Sequence, residues 1–287
     1  MESIESNAGR RSGRVPVSVI IPCYRSSFIR RTLESVFNQT SLPEEVILVD
    51  DFSGDSTLET LRRIRDERTG WNIKIVALDS NQGQGGARNE GWRAATQPYI
   101  AFLDHDDSWH PRKLELQYEF MLQHPEAALS AHAWTRLHGA ERIGINEPAP
   151  GFVRVTKNQL LLSNSITCTT VMAKRSLPCR FRAGQRYMED QLLWLEMASD
   201  SMVLLKMNAI LSYTFKAPFG ESGVSSFLWR QEKAELGNYV LLWRSRRLGL
   251  LATVALLALS VLKHMRRLLL VAAARVGSEA RTPARRA

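Results

Sequence analysis

Phe102-Leu103-Asp104-His105-Asp106-Asp107-Ser108-Trp109-His110-Pro111 places three carboxylates within four residues. The apolar run 99–103 reads as a buried strand. Pro111 opens a helical pattern, Lys113-Leu114-Glu115-Leu116-Gln117-Tyr118, as suits a residue favoured in a first helical turn. The acids therefore lie at the carboxyl end of a strand, in the turn before a helix, where open α/β sheets bind their ligands. Acids this close repel one another and require a counter-charge, most simply a divalent cation with oxygen ligands. A cation held by one or two carboxylates completes its shell with phosphate oxygens and water. The stretch thus points to a site for metal plus nucleotide phosphate. The competing reading is structural: Asp107 or Ser108 caps the helix and the other acids are solvated.

Around this turn, β-branched and apolar runs at 17–22, 45–50 and 73–78 read as further strands. Helical patterns at 28–39, 56–68 and 87–95 separate them, the last preceded by a glycine-rich loop at 81–86. This alternation predicts an α/β fold with a mostly parallel sheet covered on both faces. Beyond residue 124 the pattern is mixed. Strands are expected at 127–137, 165–173 and 202–215, and helices at 159–162, 188–198 and 226–243.

Three other strand or helix ends carry chemistry, and the glycine-rich loop makes a fourth. In Ile21-Pro22-Cys23-Tyr24-Arg25, Tyr24 sits where a ring stacks on a nucleobase, worth roughly 1–3 kcal/mol, or packs on the next helix. In Val49-Asp50-Asp51-Phe52-Ser53, a carboxylate selects a base or ribose by accepting its hydrogen bond, or serves the turn itself. In Asn81-Gln82-Gly83-Gln84-Gly85-Gly86-Ala87-Arg88-Asn89, the glycines allow backbone to approach an anion at a helix start, with Arg88 in reach of phosphate. The spacing is not the dinucleotide-binding fingerprint. In Tyr187-Met188-Glu189-Asp190-Gln191, two acids open an apolar helix, as a general base or as dipole-favoured first-turn residues.

Composition sets bounds. The 287 residues are 44% hydrophobic and 23% charged, ordinary for a globular chain. Cys23, Cys168 and Cys179 show no paired or zinc-binding spacing and fit a reducing compartment. Residues 1–14 are polar without an apolar core, so no signal peptide is expected. Residues 244–287 hold ten basic residues against one acid, so the tail carries the whole net charge of +9 and residues 1–243 are formally neutral.

Taken in order, strand-Pro-x-Tyr, Val-Asp-Asp-x-Ser, Asn-x-Gly-x-x-x-Ala-Arg-Asn, Leu-Asp-x-Asp-Asp-x-Trp and a Glu-Asp pair before a helix resemble the family 2 glycosyltransferases of GT-A fold. The resemblance covers roughly residues 15–215 and is closest over 17–125. It implies a Rossmann-like, mostly parallel sheet with a mixed α/β acceptor half, and inverting transfer of a sugar from a nucleotide-diphosphate sugar to an acceptor hydroxyl. By this resemblance Pro22, Tyr24 and Asp51 hold the base, Asp51 reading an imide N–H such as that of uracil. Arg88, Asp104 and Asp106 lie at the donor, and Asp107, with Asp106, holds Mn2+ or Mg2+. Asp190 is the catalytic base, with Glu189 orienting it or the acceptor. Processive family members carry Gln-x-x-Arg-Trp. Here Trp229-Arg230-Gln231 runs in another order, so one sugar per encounter is expected. Residues 222–225 are expected to form an acceptor loop.

The expected organisation is a polar tail (1–14), a nucleotide-sugar half (15–125), an acceptor half (126–243) and a membrane-associating tail (244–287). Residues 248–262 carry no charge, yet at 1.5 Å per residue they fall short of a hydrocarbon core of about 30 Å. With Lys263, Arg266 and Arg267 beside them, they suit an amphipathic helix lying on anionic lipid. The alternatives are a helix docked on the body and one that pairs two copies in a homodimer. The expected partners are a nucleotide-sugar donor and a saccharide or lipid-linked acceptor, at the cytoplasmic face of the cell membrane, in cell-surface polysaccharide or lipopolysaccharide assembly. Nucleic acid is not expected, because the body has no basic surplus. The rival function is a membrane-tethered module that binds nucleotide sugar without turnover.

Overall fold

The computed structural model describes residues 13–137, 151–215 and 228–279, with side chains described to residue 267. Two compact units emerge, Met1–Phe215 and Lys216–Ala287. The expected polar tail over 1–12, the expected acceptor loop at 222–225 and the proline- and glycine-bearing loop that the sequence pattern suggests from 140 to 150 lie outside the described residues.

In the first unit, β1 (Arg14–Cys23), β2 (Leu42–Asp50), β3 (Ile73–Ala77) and β4 (Tyr99–Phe102) alternate with α1 (Ile29–Phe37), α2 (Thr57–Glu67) and α3 (Gly83–Ala94). β1 pairs in parallel with β2 and with β4, and β2 in parallel with β3. The order β3-β2-β1-β4 reverses direction at β1, which opens a crevice at the carboxyl ends of β1 and β4. Val19, Ile20 and Ile21 on β1, and Val46, Ile47, Leu48 and Val49 on β2, are all buried, as expected where helices cover both faces. α1 packs Ile29, Leu33, Val36 and Phe37 against this sheet, each worth roughly 1.5–3 kcal/mol of burial.

The remaining elements are β5 (Ser108–Trp109), α4 (Lys113–Gln123), β6 (Ala127–Arg136), β7 (Phe152–Arg154), α5 (Lys157–Leu162), β8 (Met172–Lys174), α6 (Glu189–Ser199) and β9 (Val203–Thr214). They extend the sheet to nine strands in the order β3-β2-β1-β4-β8-β6-β9-β5, with β7 on β9. β8 is antiparallel to β4 and β6, so the mixed half joins the parallel half through one short strand.

Two expectations fail locally. Residues 165–173 are not one strand: Cys168–Thr170 form a 3-10 turn, and only Met172–Lys174 pair. Thr170 Oγ1 donates to Thr167 O at 2.8 Å, a local bond that competes with the sheet ladder. Residues 83–86 are not a loop but the first turn of α3. Glycine is needed there for close packing: a Cβ on Gly85 would lie 3.0 Å from Glu189 Cγ and 3.2 Å from Phe181 Cβ.

In the second unit, α7 (Leu228–Arg244) and α8 (Leu250–Glu279) form a helical hairpin. α7 thus groups with the tail helix, whereas the sequence pattern placed it with the acceptor half.

Gly91 seats α3 on the sheet, where a Cβ would fall 2.3 Å from Ile20 Cγ2. Gly91→Ala is expected to destabilise the chain by about 1–3 kcal/mol, read as a lower denaturant midpoint at unchanged slope.

Candidate active site

The acidic turn is held by its main chain. Asp107 N donates to Asp104 O at 3.1 Å. From α1, Thr32 Oγ1 lies 2.9 Å from His105 O and 2.8 Å from Asp107 O, and Arg31 donates to Asp106 O at 2.6 Å. The Arg31 guanidinium lies over the Phe215 ring at 3.6 Å and the Phe28 ring at 4.9 Å. Trp109 fixes the far end: its Nε1 donates to Thr169 O at 2.9 Å, and its backbone N–H donates to Ser35 Oγ at 3.1 Å. Nothing in the spacing of Arg31 or Thr32 marks them in the sequence. Their role follows from α1 crossing a turn more than 70 residues later in the chain.

Of the three acids, Asp107 is buried and Asp104 and Asp106 are half-exposed. Burial, and then the Asp104 and Asp106 charges, push the Asp107 carboxyl well above the usual carboxylate range. A divalent cation would relieve that repulsion. Among the described residues, no group of three or more His, Cys, Asp or Glu side chains is arranged as a metal cage. The donor set, all carboxylate oxygen on an open turn, fits the type of site in which phosphate shares the ion.

Arg88, 2% exposed, joins the donor side to the start of α6. Its guanidinium donates to Asp104 at 2.7 Å and to Glu189 at 3.1 Å. It is therefore a buried bridge between two acids 85 positions apart. Asp190 follows Glu189. Its carboxylate accepts from Gln191 N at 2.7 Å, and Asn164 Nδ2 lies 3.3 Å from both of its oxygens. Burial, reinforced by the Glu189 charge and opposed by Arg88, pushes Asp190 up to about 6. Asn164 was not singled out in the sequence, where it sits in an unmarked polar run. Met188, just before the pair, is left-handed at φ 53°, a conformation costing roughly 1–2 kcal/mol. Gln185 Nε2 donates to Met188 O at 3.2 Å in the same turn.

At the carboxyl ends of β1 and β2, Pro22 is paired with Val49 inside the sheet, and Tyr24, 42% exposed, follows β1. Phe52, also exposed and left-handed, projects at the neighbouring end of β2 and offers a second ring that the sequence reading did not weigh. Asp51 is buried and accepts from Gln82 N at 2.6 Å and Gly83 N at 2.9 Å. Burial raises its carboxyl, and these two donors lower it in part. Asn81 Nδ2 donates to Asp51 O at 2.9 Å, and Arg186 grips Asn81 through Oδ1 at 2.5 Å and through its carbonyl at 2.9 Å. The expected base, donor and acidic residues thus converge on one edge of the sheet.

The family model described as Glycosyl transferase family 2 matches residues 18–177. The chain belongs to that family. It is 31% identical to the UDP-Glc:alpha-D-GlcNAc-diphosphoundecaprenol beta-1,3-glucosyltransferase WfgD of Escherichia coli, over 78% of this chain and 86% of WfgD. It is likewise 31% identical to the putative teichuronic acid biosynthesis glycosyltransferase TuaG of Bacillus subtilis, over 76% of this chain and 84% of TuaG. Among solved structures, residues 1–349 of S. aureus TarS with UDP-GlcNAc superpose with a TM-score of 0.57 at 22% identity, over 78% of this chain and 66% of that one. The chain thus spans just under two thirds of the TarS fragment. The mannosyltransferase PcManGT of Pyrobaculum calidifontis, with GDP-Man and Mn2+, superposes with a TM-score of 0.62 at 16% identity, over 94% of this chain and 81% of that one. The fold is GT-A, as the sequence resemblance implied.

Two outcomes are expected of this charge chain. Arg88→Met leaves two acids without their cation and is expected to destabilise by about 3–5 kcal/mol in a denaturant titration, with part restored by adding Glu189→Gln. The second concerns pH. Asp190 moves from an ordinary 3.8 to about 6 on folding, so the stability its protonated form favours is full below 3.8 and lost as pH rises through 6. Asp190→Asn is therefore expected to melt above the parent at pH 8, with the difference vanishing near pH 4.

Proposed function

We propose that this chain is an inverting transferase that moves a sugar from a UDP-sugar to a hydroxyl of a lipid-linked saccharide, in the assembly of a cell-surface polysaccharide. The observation that carries the reading is Asp190: a half-buried carboxyl held by Asn164, pushed up to about 6, and next to the Glu189–Arg88–Asp104 bridge to the acidic turn. A base near the operating pH transfers protons efficiently, and an ordinary aspartate is too acidic for that role.

Asp190 takes the proton of the acceptor hydroxyl as that oxygen bonds to the anomeric carbon. The bond from that carbon to the diphosphate oxygen breaks on the opposite face, and its electron pair leaves with the nucleotide. No covalent sugar–enzyme intermediate is required, because acceptor and leaving group occupy opposite faces of one carbon. Asn164 fixes the carboxylate plane, and Arg88 holds Glu189 beside it. Tyr24 and Phe52 flank the base, and Asp51 keeps lone pairs for an imide N–H beside the two backbone donors it already accepts. Asp107 and Asp106 would hold Mn2+ or Mg2+, which when bound neutralises charge on the departing diphosphate. The UDP-sugar choice is supported by the donors named for WfgD and for the TarS complex, and the acceptor class by the diphosphoundecaprenol named for WfgD.

The test is nucleotide release from UDP-, GDP- and dTDP-sugars, with and without Mn2+, in the presence of membranes from the source cell. UDP release that needs the metal is expected, rising with pH through about 6 as Asp190 loses its proton. Asp190→Asn is expected to lose roughly 10²–10⁴-fold in rate. Release at an undiminished rate in that variant would remove Asp190 from the chemistry. Tight donor binding without release, in the same membranes, would favour the silent binding module.

A further inference from the structure

The α7–α8 hairpin is built with its polarity reversed. Along α8, Leu251, Val254, Ala258, Val261, Leu262 and Met265 recur at three- and four-residue intervals and share one face. That face is exposed: Leu251 by 87%, Leu262 by 67% and Val254 by 58%. The opposite stripe, Thr253, Ser260 and His264, is buried, as are Glu232, Glu235, Asn238 and Tyr239 on α7. Ser260 Oγ donates to Glu232 Oε1 at 2.8 Å, and Tyr239 OH donates to Glu235 Oε1 at 2.9 Å. His264 Nδ1 lies 3.5 Å from Glu232 Oε2, and the Trp229 ring packs against the imidazole at 4.5 Å.

A helix pair in water hides its apolar stripe and solvates its acids. Here each of the two acids accepts from a hydroxyl inside, and Leu251 and Leu262 face out. That arrangement suits surroundings that are apolar rather than aqueous. The stripe from 251 to 265 is about 21 Å long at 1.5 Å per residue. No helix among the described residues is long and apolar enough to cross a membrane. An exposed Trp229 and Trp243 on α7 add rings of the type that settle at a bilayer's headgroup level.

We propose that α7–α8 docks on an anionic lipid bilayer, sinking the 251–265 stripe into the boundary between headgroups and acyl chains. Charge favours lipid over a second copy of this chain. Exposed Arg244 and Arg246 lie at one end of the stripe and exposed Arg266 at the other. Two copies paired along the stripe, in either direction, set cation against cation, whereas lipid phosphates receive both ends. The surface includes α7, which the charge-free run at 248–262 did not indicate. It does not depend on the donor or reaction assigned above.

The test is sedimentation of the full chain with vesicles of phosphatidylcholine alone and of phosphatidylcholine with phosphatidylglycerol. Binding to the anionic vesicles is expected, weaker on the neutral ones and falling with added salt. Leu251→Glu and Leu262→Glu each lower the bound fraction by about tenfold or more, since each removes a buried leucine from the lipid contact. Both positions are exposed, so unchanged circular dichroism and melting separate this loss from misfolding. The triple variant Arg244→Gln, Arg246→Gln, Arg266→Gln is expected to lose the preference for anionic lipid while keeping the weaker neutral binding. No sedimentation with either vesicle, or sedimentation indifferent to the glutamate variants, overturns the proposal. A lipid-free dimer that Leu251→Glu dissociates also overturns it and gives the stripe to a second copy.

Discussion

A buried guanidinium between two carboxylates is the constraint on which the rest of the site depends. Four acids, Asp104, Asp107, Glu189 and Asp190, come from two chain segments, and like charges resist that gathering. Arg88 answers the resistance by bonding one acid of each segment. A bridge of this kind contributes little net stability, because removing the charges from water offsets their attraction. What it supplies is registration. The donor-side turn and the start of α6 cannot separate without stranding charge in the interior. α3 reaches this position only because Gly85 lets it approach Glu189 and Phe181.

The same bridge sets the chemistry of its neighbour. Glu189 is neutralised on one side by Arg88, yet its charge still opposes ionisation of Asp190. Two adjacent acids on one helical turn thus meet different surroundings, because only Glu189 bonds the arginine. Asn164 meets the other with a neutral donor, which orients the carboxylate without making it strongly acidic.

The parallel half was legible in the sequence because its signals are local. β1, β2, β3 and β4 are apolar runs followed within a few residues by Pro, Asp, Ser or Gly, and the crossover topology carries those ends to one edge. Tyr24, Asp51 and Asp104–Asp107 therefore group together from sequence pattern alone. What stayed hidden is non-local. Arg31 and Thr32 look like ordinary residues of an amphipathic helix. Asn164 sits in a plain polar run, and the 3-10 turn at Cys168–Thr170 sits in a β-branched stretch that imitates a strand. The packing role of Gly85 shows only with α6 against it, where a Cβ would meet Glu189. Composition located the tail's charge, but the reversed polarity of α7–α8 needs both helices at once.

The acidic turn is gripped by its carbonyl oxygens, through Thr32 and Arg31, and by the bond from Asp107 N to Asp104 O. Its shape is therefore largely written in main-chain contacts that any residue at those positions would supply. Of the carboxyl groups, Asp104 also meets Arg88, and Asp107 meets Thr169 and Thr214. Such a turn separates architecture from affinity: exchanging an acid would change which ion or phosphate it suits, while the carbonyl contacts that frame it stay the same.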